Sequence, residues 1–596
     1  MSQSVASTTA DAAEAASRRH GGTLLVELLA EHGVAHVFGV PGGQTIALYD
    51  ALDDRAPGMH HVLVRDERTA AYAADGYARA TGRVGVCDAT VGPGAAKLPS
   101  GLAESLGASV PVLAIVSDLP ASAAPHRDRG AASQALDQAA LLQPVTKWCS
   151  SVPDVHALPA MVRKAFREAS SGRPGPVALI VPQDLLDGPA PPWTDGGGAR
   201  FGRWPSVRGA PDPADTSDAA SVLTGARRPC LFVGGGALHS GASAQVQALA
   251  ERLSAAVATT MSGKGVIAED HPLAVGVVGT MGTTAARVAL EQADVVFLIG
   301  AKASGGATYN WTLPREDQLV VQLDVDPAEL GRAVPVAAAM ACDARLGLEA
   351  VLGALGDPSD DEGAVTQARA AWAAAVSSAV DSWRGRRDEE RRSDGEPIAP
   401  ARVLMELESA LGSRDLVVCD ASLSSGWGTV YFEQRAPGRR ILTPRGFAGL
   451  GYALPAAIGV ATGAPGRRVV ALTGDGALAY ALGELPTVRE HGLSITVVVL
   501  NNSSLGWIRW YRRIAFGRGF DQPDFSDVPF ADVATALGWS AARVTDPREL
   551  RDAFTTALGA DGPSLVDVVT DTWETPIAGH RRSVDEGPAS AAYYGG

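Results

Sequence analysis

One carboxylate and one amide in this 596-residue chain have the residue types and spacing to hold a metal ion. Asp475 sits inside the turn Gly474-Asp475-Gly476, and Asn502 closes the pair Asn501-Asn502, with 24 residues between turn and pair. A carboxylate and an amide oxygen make a hard-oxygen donor set, which suits Mg²⁺ when a phosphate supplies further ligands. The two glycines permit backbone geometry and a close ligand approach that a Cβ would block. Alone, Gly-Asp-Gly also reads as a solvated turn; the asparagine pair at this distance makes the motif specific.

The surrounding elements must position these groups. Val469–Thr473 is a short apolar run of the kind that forms a fully buried parallel strand. Ala477–Glu490 is predicted as one helix, with His491-Gly492 as its stop. Ile495–Leu500 is a second buried strand. Two parallel strands so joined bring their carboxyl ends side by side, where open α/β sheets bind ligands.

The same alternation runs through the chain. A helix is predicted at Thr23–Glu31. Strands are predicted at Ala35–Gly39, Gly85–Ala89, Val112–Val116 and Val177–Val181, then at Cys230–Val233, Ala256–Thr260, Val295–Ile299 and Val320–Val325. The pattern predicts an α/β fold of three doubly wound parallel-sheet domains, 21–187, 214–355 and 401–575. Residues 188–213 are rich in Pro and Gly and read as a linker. Residues 356–400 read as a second linker, with an acidic stretch, an Ala-rich helix and the charged run RGRRDEERRSDGEP, expected to be solvated. Residues 1–20 read as a disordered tail without the apolar core of a signal peptide, and 576–596 as a polar tail.

Composition narrows the function. Charged residues at 20% and hydrophobic ones at 46% are those of a soluble globular protein, and the length exceeds a single core. A net charge of −15 argues against a nucleic-acid-binding face and against attraction to anionic membranes. No run of 18 apolar residues is present. The five cysteines are scattered with no CxxC pair, so neither a disulfide framework nor a zinc site is indicated, and a cytoplasmic location is expected.

Three α/β units with the Gly-Asp-Gly motif in the third resemble the thiamine-diphosphate (ThDP) enzymes, most of all the large subunit of acetolactate (acetohydroxyacid) synthase. The resemblance implies a pyrimidine-binding, a central and a diphosphate-binding domain in that order. It implies that Asp475, Asn502 and the Ser504 carbonyl hold Mg²⁺, with Gly474, Gly476 and Ala477 beside the diphosphate. RDERTAAYAADGYARATGRVGV, Arg65–Val86, places Glu67 where the family has a Glu on the pyrimidine N1′. That acid favours the imino tautomer, which removes the proton from the thiazolium C2. Asp66 stands where many synthases have His.

VFGVPGGQTIALYDAL, Val37–Leu52, is similar to the glycine turn that opens the synthase's first domain and points to Gly42. VGPGAAKLPSGLAESLGASVPVLAIVSD, Val91–Asp118, matches a Gly-Pro-Gly turn through Gly92 and Gly94, with Lys97 where the family usually has Asn. Gln134 falls where synthases place a substrate-facing Gln. In RGFAGLGYALPAAIGVATG, Arg445–Gly463, Leu450 beside Gly449 takes the place of the bulky residue that wedges between the two cofactor rings. CDASLSSGW, Cys419–Trp427, offers Ser422, Ser424 and Ser425 to phosphate. It lacks the synthase's Gln-His pair and is more like benzoylformate-decarboxylase relatives. In SSLGWIRWYRRIAFGRGF, Ser503–Phe520, Tyr511 stands at a substrate-selecting Trp, Trp507 replaces a Met, and the arginines either recognise a carboxylate or are solvated. In the central unit FVGGGALHSGA, Phe232–Ala242, and GVVGTMGTTAARVALEQADVVFLIGA resemble FAD-contacting segments. KASGGATYNW, Lys302–Trp311, replaces the synthase's Arg-Phe-Asp-Asp-Arg, so FAD and a vestigial site both stay open.

The activity implied is ThDP- and Mg²⁺-dependent decarboxylation of a 2-keto acid, followed by addition to a second carbonyl. The alternatives are a 2-keto acid decarboxylase or 2-hydroxy ketone lyase of the benzoylformate-decarboxylase type, and a non-catalytic protein of this fold, against which Glu67, Asp475 and Asn502 weigh. The implied partners are small 2-keto acids or aldehydes and further copies of the chain, as homodimer or homotetramer. In the family the domains holding Glu67 and Asp475 meet across a subunit interface.

Overall fold

A computed structural model describes residues 19–577, apart from 56–57, 128–129, 195–197, 357–362 and 517–521. The expected tails at 1–20 and 576–596 thus lie almost wholly outside the described residues. By packing, the chain divides into two compact units, 1–207 with 455–465, and 208–454 with 466–596.

The first unit is built on strands β1 (His36–Gly39), β2 (His60–Leu63), β3 (Gly85–Ala89), β4 (Val112–Asp118), β5 (Trp148–Ser151) and β6 (Val177–Pro182), in the order β2-β1-β3-β4-β6-β5. All its pairings are parallel. The second unit carries two such sheets. One contains β7 (Pro229–Val233), β8 (Ala256–Thr259), β9 (Ala274–Val277), β10 (Val295–Ile299), β11 (Leu319–Asp324) and β12 (Ala338–Ala341), ordered β12-β11-β10-β7-β8-β9. The other contains β13 (Leu416–Cys419), β14 (Ile441–Leu442), β15 (Val469–Gly474), β16 (Ile495–Asn501), β17 (Ser540–Val544) and β18 (Ser564–Val569), ordered β14-β13-β15-β16-β18-β17. The first and third sheets therefore share one strand order, and the second has the order of dinucleotide-binding folds. The middle strands are buried from end to end, as strands covered by helices on both faces must be.

In the first unit the helix Glu67–Thr81 meets residues 455–465, and glycines set the distance. A Cβ on Gly76 would come within 2.2 Å of the Ala456 carbonyl, and one on Gly459 within 1.8 Å of the Ala73 carbonyl. Either side chain would drive the helices apart.

Two expectations are corrected. Ala477–Glu490 is not one helix: Asp475–Ala479 and Leu485–Glu490 are separate helices with a 3₁₀ turn, Leu482–Glu484, between them. Gly483 weakens helix at the turn, and Pro486, which lacks an N–H, is accommodated in the first turn of the second helix. The charged run before residue 397 is not a solvated linker. It ends the 29-residue helix Gly363–Arg391, where Arg387 and Arg391 are buried. Arg387 pairs with Glu433 at 3.5 Å and Arg391 with Glu408 at 2.7 Å. Trp372, Val376, Val380 and Trp383, on the same helix, enter one apolar cluster with strand residues of both sheets of this unit. The earlier Pro/Gly-rich segment also packs: Trp204 donates through Nε1 to the Ala78 carbonyl at 3.4 Å.

Candidate active site

In the third sheet the order reverses between β13 and β15, and the carboxyl ends there open into a cleft of about 540 Å³. An open α/β sheet binds its ligand at such a switch point. Gly474, Asp475, Gly476 and Ala477 reach the cleft from the end of β15, Asn502 and Ser504 from the end of β16, and Ser422 and Ser424 from beyond β13. Leu450 completes the wall. Gly449 belongs to the same loop without being part of the lining.

Asp475 is 3% exposed. Its Oδ1 accepts from the Gly476 amide at 2.7 Å, and its Oδ2 from the amides of Asn502 at 3.0 Å and Ser503 at 2.5 Å. Burial pushes this carboxyl up to about 6, with the backbone amides working the other way, so it is charged at neutral pH. Asn502 Oδ1 accepts from the Ser504 amide at 3.2 Å. Strand ends thus bring one carboxylate and one amide oxygen together, with a buried serine beside them, in a cleft open to a ligand.

Beyond β13 the chain enters the helix Leu423–Tyr431 through Ser422, whose φ of 67° and ψ of −141° are strained for a residue with a side chain. No side chain caps this helix, so its first amides remain for an anion. Ser422 and Ser424 stand beside them. Ser425 does not, because its hydroxyl donates to the Asp420 carbonyl at 2.6 Å. Its assignment to phosphate is therefore corrected.

Asp420 is a site residue that sequence reasoning missed. It is fully buried and holds the loop bearing Leu450 against the strand end. Its Oδ1 accepts from the Gly451 amide at 3.0 Å and its Oδ2 from the Ala453 amide at 2.8 Å. Burial pushes its carboxyl above the ordinary range, opposed by these amides. The signal was an Asp at the end of a buried strand, overshadowed by the serines after it.

Tyr511 and Trp507 pack on a small apolar cluster of Met281, Trp510 and Ile577 and are not part of the cleft lining. The arginines of that helix are not simply solvated: Arg509 and Arg513 lie over the Trp573 ring at 4.2 and 4.9 Å.

In the first unit the order reverses between β1 and β3. Gly42 packs on Thr90 beyond β3, where a Cβ would come within 2.3 Å. Gly92, at φ 67°, lies against the Gln134 carbonyl and donates its amide to Gln138 Oε1 at 3.1 Å. Gln138, buried and bonded also to the Ser117 carbonyl at 3.0 Å, is thus the glutamine that fixes the Gly-Pro-Gly turn. Gln134 is exposed, with φ 63°. Glu67 opens the helix Glu67–Thr81 and is 5% exposed, and its Oε2 accepts no hydrogen bond. Gly94 clears space for it, since a Cβ there would come within 2.9 Å of Glu67 Oε1.

These groups fit ThDP with a divalent ion. A buried carboxylate suits a protonated ring nitrogen, and the hard-oxygen pair beside an uncapped helix start suits a metal diphosphate. At the switch point of the central sheet Gly234, Gly236 and Gly300 interlock, with a Cβ on Gly234 only 2.2 Å from the Gly300 carbonyl. Chain packing accounts for these glycines.

Three segments of the chain match models of known protein domains. Residues 19–141 match the N-terminal TPP-binding domain of thiamine pyrophosphate enzymes, 216–351 their central domain and 420–568 their C-terminal TPP-binding domain; thiamine pyrophosphate is ThDP under its other name. The chain is 31% identical over 575 residues to the probable acetolactate synthase large subunit of Methanocaldococcus jannaschii, covering 93% of this chain and 92% of that one. It is 32% identical over 579 residues to the acetolactate synthase of Arthrospira platensis, with 94% and 95% covered. It is also 32% identical over 561 residues to the acetolactate synthase isozyme 2 large subunit of Escherichia coli K12, with 93% and 96% covered.

Proposed function

The chain belongs to the thiamine pyrophosphate enzyme family, and from that premise we propose that it decarboxylates a 2-keto acid and joins the remaining fragment to a second carbonyl compound. The observation that carries the proposal is the convergence of Asp475, Asn502 and Ser504 with the uncapped helix at Leu423 on one cleft. When bound, ThDP would supply a nucleophilic carbon and an electron sink for loss of CO₂ from the keto acid. The protein's part is binding, orientation and proton control. Asp475, Asn502 and Ser504 hold Mg²⁺; Ser422, Ser424 and the first amides of Leu423–Tyr431 receive the diphosphate. Leu450 supplies an apolar wall that sets cofactor shape, and Asp420 fixes the loop that presents it. Glu67 holds a proton at the pyrimidine N1′. Gln134, exposed beside the Gly-Pro-Gly turn, faces substrate.

The working assembly is a homodimer or homotetramer of this chain, in the cytoplasm. No helix among the described residues is long and apolar enough to cross a membrane. The test is a screen of 2-keto acids on the purified chain with ThDP and Mg²⁺, following CO₂ and products together. CO₂ release matched by a coupled 2-hydroxy ketone product supports the proposal. CO₂ matched by free aldehyde alone points to the decarboxylase reading, and no CO₂ from any 2-keto acid overturns both.

A further inference from the structure

Two departures from the family pattern touch each other beside Glu67. Lys97 Nζ lies 3.5 Å from Asp66 Oδ2 and 3.3 Å from Glu67 Oε2. Asp66 caps the helix with its other oxygen, Oδ1 accepting from the Arg68 amide at 2.8 Å, so Oδ2 is left for the lysine. Lys97 is fixed from its own side by the 3₁₀ turn Ala95–Lys97, whose last amide donates to the Gly94 carbonyl at 3.1 Å. The same Gly94 gives Glu67 its space.

The charges explain why the two departures belong together. Glu67 is almost fully buried with no hydrogen bond on Oε2, and a carboxylate so placed is costly to keep charged unless a cation stands near. Lys97 is that cation, one of only five lysines in the chain. Its side chain is about half exposed, so it brings charge to Glu67 without full desolvation. Partial burial works against its ammonium, yet Glu67 and Asp66 together hold it above its ordinary range. The lysine places a point charge beside one oxygen of the carboxylate.

We infer that Lys97 is a positioning residue for Glu67: anchored by Asp66, its ammonium holds the Glu67 carboxylate correctly turned before the cofactor arrives. This rests on the reading of Glu67 as the partner of the pyrimidine ring. A charged carboxylate biases a shared proton toward the ring nitrogen, the state from which the imino tautomer forms.

The first test needs no cofactor. Competitive amine labelling, read by mass spectrometry over the five lysines, should show Lys97 reacting several-fold faster in Glu67→Gln and in Asp66→Asn than in wild type. The other four lysines should be unchanged. The second test measures hydrogen–deuterium exchange at C2 of bound ThDP. Lys97→Met should slow it about tenfold, in line with the loss of an outer partner of a functional side chain, and Lys97→Arg should keep most of the rate. In a Glu67→Gln background Lys97→Met should add almost nothing, because the lysine acts through the glutamate. If Glu67→Gln slows exchange but leaves Lys97 labelling unchanged, the inference fails and the Glu67 reading stands. The same holds if Lys97→Met slows exchange equally in both backgrounds. Wild-type exchange in Glu67→Gln would overturn the Glu67 reading itself and the inference with it.

Discussion

Glu67 and Asp475 are both buried carboxylates, but their surroundings suit different work. Asp475 accepts from three backbone amides, which fix its oxygens and keep it charged at neutral pH despite burial. Among Asp475, Asn502 and Ser504 it alone is anionic, so Asp475→Ala should weaken Mg²⁺-dependent ThDP binding more than about a hundredfold, beyond the loss expected for an outer partner. Titration calorimetry with and without chelator checks this; tight binding by the variant in chelator would remove the metal assignment. Glu67 has instead a single ammonium, that of Lys97, 3.3 Å from its Oε2. Glu67→Gln keeps its shape but cannot carry the proton, so ThDP binding should stay close to wild type while turnover falls about 10²–10⁴-fold, the range of general acid–base steps. Steady-state rates beside calorimetry separate the two effects. Asp475 was legible in the sequence because its neighbours in space, Asn502 and Ser504, are set by a motif of fixed length. Asp420 and Gln138 were not, since each acts through backbone amides brought to it by folding.

The long helix Gly363–Arg391 shows how an element can be misread from charge alone. Its arginines recur on the face that also carries Trp372, Val376, Val380 and Trp383, so the charged run is the end of a buried stripe. Their acidic partners come from residues 408 and 433, a separation no local pattern reveals. Near the end of this helix Glu390 accepts from the Tyr431 hydroxyl at 2.7 Å. Burial pushes its carboxyl up to about 7; Glu574 and Glu389 add to the shift and Arg386 opposes it. An acid raised on folding contributes stability that is full below its unfolded value near 4.5 and is lost as pH rises through about 7. Glu390→Gln keeps an acceptor for Tyr431 and removes the charge. Its thermal midpoint should therefore exceed that of wild type at pH 8, with the gap closing by pH 5, and midpoints with equal pH slopes would contradict this. Strands were more legible than this helix where both faces are covered. β10 and β16 read directly as apolar runs, whereas β17 alternates exposed and half-buried residues and β14 has only two residues.

At the scale of the molecule, the candidate groups are divided: Glu67, Gly92 and Gly94 lie in one compact unit, and Asp475, Asn502 and Leu450 in the other. The segments around them carry large apolar side chains at the surface. Ile46, three residues past the Gly42-Gly43 turn, is 60% exposed, Phe447, near Leu450, is 63% exposed, and Tyr480, just past the helix Asp475–Ala479, is 56% exposed. Large apolar side chains left in water beside the site segments of each unit suit a cover, and a second copy of the chain is the cover proposed here. The proposed association should depend on concentration. With a net charge of −15 on each copy, salt should favour association by screening repulsion. Sedimentation velocity should therefore show a dimer or larger species whose dissociation on dilution parallels the loss of activity. Ile46→Asp places a charge at that surface and should shift dissociation to higher concentration by about tenfold, the effect of roughly 1.4 kcal/mol at an interface position. Cofactor binding stabilises whichever state completes the site, so ThDP with Mg²⁺ should move the dissociation back toward lower concentration in wild type and not in Asp475→Ala. A monomer that sediments alone at assay concentration with full specific activity would show that one copy completes its own site, and the proposed dimer would then have no part in the chemistry.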